Sequence, residues 1–133
     1  RTIADLCAVL EKKYALGVCL RNAYQAKDRA GLVKALEDLK ETERRVVRFM
    51  HSFEKQWMNE CKPFGFEKHD IRLGGLRQRL SHCRRVLEDY LCGKRGKIEE
   101  LEENILKWDK TTEQGRPLTY NDWMFITMIK PRN

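Results

Sequence analysis

The stretch Arg29–Glu60, RAGLVKALEDLKETERRVVRFMHSFEKQWMNE, decides the fold. Leu32, Leu36, Leu39, Val46, Met50, Phe53 and Trp57 recur at heptad spacing, with Glu43 interrupting the series. No proline falls within it, so the spacing predicts one long amphipathic helix over residues 29–60. Asp28, just before, is a natural N-cap, because its carboxylate can accept the free backbone N–H groups of the first turn.

Upstream, residues 2–27 read as a first helix. Its stripe is Ile3, Cys7, Leu10, Tyr14, Gly17 and Tyr24, widened by Leu6 and Leu20. The connection is short, so the two helices are expected to form an antiparallel hairpin with Glu43 opposite the Tyr14 hydroxyl. Gly17 either weakens the first helix or lets a neighbouring helix come close.

Downstream, Cys61-Lys62-Pro63-Phe64-Gly65-Phe66-Glu67-Lys68-His69 is a break. Pro63 pushes Lys62 out of helical geometry, and Gly65 permits a sharp turn. Two aromatics in such a loop must pack on something, either this bundle's own core or another surface. Asp70 is the expected cap of a third helix over residues 70–92, showing Leu73, Leu76, Leu80, Cys83, Leu87 and Tyr90. Gly74-Gly75 suggests close helix approach or contact with another domain, and Gly93 ends the helix in the left-handed region. A fourth helix is expected over residues 97–110, with Ile98, Leu101, Ile105 and Trp108 inward. An apolar tail over residues 117–133 follows and needs a surface to lie on. The fold class is therefore all-α, an antiparallel four-helix bundle with an irregular apolar tail.

With 133 residues the chain suits a single domain able to bury a core without staples. No apolar run approaches the roughly 18 residues that cross a bilayer, so no membrane partner is expected. The opening Arg1-Thr2-Ile3-Ala4-Asp5 has an acid where a signal peptide needs its apolar stretch, and it reads as a fragment of a longer protein. The five cysteines, Cys7, Cys19, Cys61, Cys83 and Cys92, are odd in number and lack Cys-x-x-Cys spacing. Reduced structural thiols in a cytoplasmic protein are the expectation, Cys7 and Cys83 lying on apolar seams. No metal site is expected, since His51, His69 and His82 are scattered.

No catalytic pattern stands out. Gly74-Gly75 lacks the spacing of a phosphate loop, and Ser81 and His82 point about 100° apart on a helix. Glu37-Asp38 and Glu88-Asp89 lie on solvated faces beside basic residues, where solubility explains them better than acid–base chemistry. The net charge of +7, with Arg44, Arg45 and Arg48 on the second helix and Arg72, Arg77, Arg79, Arg84 and Arg85 on the third, admits nucleic acid as a partner. Against this, acids interleave with the bases, and neither helix-turn-helix spacing nor aromatic–basic alternation is present. Salt bridges to another domain, or simply keeping the fragment soluble, are the competing uses of these arginines.

The segment Trp57 to Gly75, WMNECKPFGFEKHDIRLGG, resembles the carboxy-terminal helical domain that follows the catalytic barrel in a bacterial branch of glycoside hydrolase family 20, the β-N-acetylhexosaminidases. The likeness extends to Asp5–Tyr14, Leu87–Gly93, Ile98–Glu102 and the tail around Tyr120-Asn121-Asp122-Trp123. It is most specific in Lys62–Glu67 and Asp70–Gly75. Cys61, Lys68 and His69 depart from the pattern, which has an amide at the first position and a small apolar residue and an amide at the others.

The resemblance implies a parent enzyme that removes terminal β-linked N-acetylhexosamine with an Asp-Glu pair carried on the barrel. That barrel is not in this chain, so Glu88-Asp89 is not given the role and no cofactor is implied. The implied partners are the catalytic barrel of the same chain and, as a further expectation, a second copy in a homodimer. The candidate interdomain docking residues are Trp57, Lys62, Pro63, Phe64, Phe66, Glu67, Asp70, Arg72 and Trp123. A stand-alone helical interaction module and a basic nucleic-acid-binding bundle remain the alternatives.

Overall fold

Asp28 opens the long helix as its sequence suggests. Its carboxylate accepts the Gly31 N–H at 3.0 Å, and the backbone there is extended. A Cβ at Gly31 would sit 2.6 Å from that same carboxylate and 3.0 Å from the Ala23 Cβ, so the cap and the close approach of the two helices both require glycine. Asp28→Ala is expected to lower the unfolding free energy by about 0.5–2 kcal/mol, with Asp28→Asn near neutral. Equal melting temperatures for all three chains would show that the cap contributes nothing.

The computed structural model describes residues 1–103, and the described residues are all-α, without strands. Four helices follow one another: α1 (Thr2–Gln25), α2 (Arg29–Glu60), α3 (Glu67–Leu91) and α4 (Glu99–Glu102). Helix α2 packs on both α1 and α3. Cross-helix bonds give the directions. Thr2 Oγ1 donates to the Ser52 carbonyl at 3.1 Å, Arg45 to the Ala8 carbonyl at 2.6 Å, and Lys12 to Asp38 at 2.9 Å, so the start of α1 lies against the end of α2. Arg84 reaches Glu43 at 3.3 Å while His69 meets Phe53, so α3 also runs antiparallel to α2. Of the expected fourth helix, residues 104–110 lie outside the described residues, as does the 117–133 tail with Trp123.

The core is built from Val9 and Leu16 of α1, Leu32, Ala35, Leu39 and Val46 of α2, Leu80 and Leu87 of α3, and Ile98. Thr42, fully buried, occupies the seam position between Leu39 and Val46. Its hydroxyl donates to the Asp38 carbonyl at 2.6 Å and so needs no partner from a neighbouring helix. Gly93 has φ +75°, the left-handed stop expected after α3.

Several expectations are corrected. The stripe assigned to α1 is not its buried face. Tyr14 is 91% exposed and Ile3 77% exposed, and Leu6, Leu10 and Cys7 are exposed too. The buried face is instead Asp5, Val9 and Leu16; of the assigned stripe, Leu20 and Tyr24 do pack against the core. Asp5 and Lys12 interrupt that face chemically, and each is balanced from α2, by Arg48 at 2.9 Å and Asp38 at 2.9 Å. Glu43 consequently meets Arg84 rather than Tyr14. Helix α3 begins at Glu67 instead of Asp70, because the turn before it supplies the first hydrogen bonds without a side-chain cap. Among the described residues nothing approaches within 4 Å of a Cβ built on Gly17, Gly74 or Gly75, so none of them marks a close helix contact there.

Candidate functional site

The turn between α2 and α3 carries four of the candidate docking residues, Lys62, Pro63, Phe64 and Phe66; Trp57 lies in the last turn of α2, and Glu67, Asp70 and Arg72 lie at the start of α3. Helix α2 ends at Glu60, and Cys61 is extended, its N–H still donating to the Trp57 carbonyl at 2.7 Å. The chain then doubles back. The Trp57 indole N–H donates to the Lys62 carbonyl at 2.9 Å, and the Phe66 N–H donates to the Pro63 carbonyl at 3.2 Å. Gly65 stands at φ +98°, a conformation that favours glycine, and its N–H donates to the Glu67 carboxylate at 2.8 Å. The His69 N–H donates to the Phe66 carbonyl at 2.8 Å and starts α3.

The two loop aromatics part company. Phe66 is 7% exposed and sits among Phe53, Trp57 and His69, with ring centroids 5.9 Å from each. His69 closes the cluster, 4.9 Å from Trp57 and 5.0 Å edge-on to Phe53. Phe64 is 89% exposed. The turn is therefore a rigid post, anchored by Phe66 and two backbone-directed bonds, that presents Phe64 to its surroundings. Lys62, Pro63, Glu67, Asp70 and Arg72 are exposed around it, and Ile71 adds a second exposed apolar side chain at the start of α3. Two participants went unnoticed in the sequence. His69 counts there only as a departure from a pattern, and Phe53 only as one more heptad residue. A signal for His69 exists, since it lies three residues after Phe66 and so falls beside it at helical spacing.

The arginine-rich faces are largely spent inside the fold. Arg44 pairs with Glu41, Arg45 with Glu41 and Glu11, Arg48 with Asp5, Arg79 with Glu100, and Arg84 with Glu43 and Glu88. Arg72, Arg77 and Arg85 make no ion pair among the described residues. Glu88 and Asp89 are likewise structural: Glu88 holds Arg84, and the Asp89 carbonyl accepts the Lys94 N–H at 2.9 Å. Burial pushes the Cys83 thiol up, away from the reactive thiolate. Among the described residues no group of three His, Cys, Asp or Glu could hold a metal ion, and no helix is long and apolar enough to cross a membrane.

Hydrogen bonds from Arg45 and then Arg44 hold the Glu41 carboxyl well below its ordinary 4.5, at about 2. A carboxyl lowered in the folded state contributes stability that is fully present above its unfolded value. That contribution is lost as pH falls from about 4.5 through about 2. The stability difference between wild type and Glu41→Gln is therefore expected to shrink over that window and to vanish only below it. Denaturation curves that stay parallel across it would show that Glu41 gains nothing on folding.

Among the curated proteins, none matches the chain. A sequence profile described as the Glycoside Hydrolase 20C C-terminal domain matches residues 1–119, which include all of α1 to α4 and the whole Trp57–Gly75 segment. The chain belongs to the glycoside hydrolase 20C C-terminal domain family, a helical accessory domain of a glycoside hydrolase of family 20.

Proposed function

We propose that this domain is the non-catalytic, C-terminal part of a β-N-acetylhexosaminidase and docks on the catalytic barrel through the turn around Phe64. The observation that carries the proposal is the contrast between Phe64 and Phe66. One ring is fixed in the domain's own aromatic cluster and the other, two residues away, stands bare on a braced turn. A large exposed aromatic on a rigid support has lost its conformational freedom in advance, so burying it against a second surface costs little further entropy. Lys62, Glu67, Asp70 and Arg72 ring Phe64 in sequence and would supply the polar rim that fixes orientation. Trp57 and Pro63 shape the post rather than touch the barrel.

Phe64→Asp in the parent enzyme tests this. The domain's own fold should survive, because the ring is almost fully exposed among the described residues. The docked assembly should not: limited proteolysis should cut between barrel and bundle much faster, and hydrolysis of an aryl N-acetyl-β-glucosaminide should fall. Unchanged digestion together with unchanged kcat/KM would remove the turn from the interface. Sedimentation of the same preparation reads whether the parent enzyme is the expected homodimer.

A further inference from the structure

Helix α1 is apolar on two sides, and among the described residues only one of them is covered. Val9, Leu16 and Leu20 face α2, while Ile3, Leu6, Leu10, Tyr14 and Val18 are exposed, with the exposed Cys7 among them. At about 100° per residue those six side chains fall within an arc of about 120°, and at about 1.5 Å per residue they run about 22 Å along the helix. No charged residue from Arg1 to Val18 falls inside that arc; Glu11 and Lys13 flank it. Scattered exposed apolar residues need no explanation, but a continuous stripe of this length marks a surface that is covered in the working protein.

Two observations identify the cover. The family is that of a C-terminal domain, so the catalytic part of the enzyme precedes it in the chain, and α1 is the described element nearest to that part in sequence, with the stripe beginning at Ile3. The same end of the bundle carries the turn proposed to dock. Thr2 bonds to Ser52, and Arg1, Thr2 and Ile3 line one open cavity with Gln56, Asn59 and Glu60, immediately before the turn. The head of the stripe and the Phe64 post therefore share one end of the bundle. We infer that the exposed face of α1, from Ile3 to Val18, is a second docking surface, and that it packs on an apolar strip of the catalytic domain preceding it in the same chain. This rests on the docking role proposed above and extends it from one turn to a helix face, an extent closer to the 600–1,500 Å² typical of interfaces between domains of one chain.

Cys7 lies in the stripe and reports on it without mutation. In the full-length enzyme under native conditions, maleimide labelling mapped by mass spectrometry should find Cys7 at least about tenfold slower than Cys19 and Cys92, which are exposed and off the stripe. A photo-reactive phenylalanine at Leu10 should then cross-link to residues that precede Arg1. Cys7 labelling as fast as Cys19 overturns the inference, as does a Leu10 cross-link to residues 104–133 or to a second copy. The same photo-reactive group at Phe64 separates the two claims. Capture of the catalytic domain from Phe64 but not from Leu10 leaves the docking turn standing and removes the stripe. Silence at both positions removes both.

Discussion

Replacing Leu87 with alanine is expected to lower the unfolding free energy of the helical unit by about 2–5 kcal/mol. Leu87 is 1% exposed, among the described residues the largest fully buried side chain, and it belongs to the core cluster that joins α1, α2 and α3. Helix α3 places only Leu80 and Leu87 fully in that cluster, so truncating one of them removes much of what holds the helix to α2. The loss combines the transfer energy of the deleted methyl groups with the cavity they leave, since helix backbones on either side cannot collapse freely into it. Urea denaturation of Leu87→Ala beside Ile3→Ala is the check. The second change sits on the exposed stripe and should stay within about 0.5 kcal/mol in the isolated chain. Similar losses for both would mean that the assigned faces of the bundle are wrong.

The second large effect is Phe66→Ala, expected to cost about 3–5 kcal/mol, against about 0.5 kcal/mol or less for Phe64→Ala in the same chain. Phe66 is the ring around which Phe53, Trp57 and His69 are arranged, and its backbone also closes the turn onto the Pro63 carbonyl. Deleting it empties the cluster and frees the turn that presents Phe64. Calorimetry of the two variants separates an anchor from an exposed ring. Equal costs would contradict the division of roles drawn between them.

The sequence of α2 made its course legible because its apolar residues define a single face. Leu32, Leu39 and Val46 are buried where the heptad puts them, and the apparent gap at Glu43 is filled one residue earlier by Thr42. Periodicity failed on α1 for a physical reason. It reports that a stripe is apolar, not whether anything lies against it, and α1 has two. The stripe that reads more cleanly is the exposed one. The buried face is disguised by Asp5 and Lys12, whose neutralising partners, Arg48 and Asp38, belong to another helix and cannot be found within one helical window. The start of α3 was misplaced for a related reason: Asp70 has the chemistry of a cap, but the helix is opened by backbone bonds from the Pro63–Phe66 turn. At the candidate site, the sequence located the turn and its residues. It grouped the two phenylalanines together as docking candidates, because what separates them depends on Phe53 and His69 converging from two helices.

Docking of this domain on the catalytic barrel is tested most directly by scanning calorimetry of the full-length enzyme with and without an N-acetylhexosamine-derived inhibitor bound in the barrel. A ligand stabilises only the structure whose unfolding releases it. If the helical domain is packed on the barrel, its unfolding should shift to higher temperature with the barrel's, as one coupled transition, although the ligand touches none of its residues. Two separate transitions, with the helical domain's unmoved by saturating inhibitor, would contradict docking.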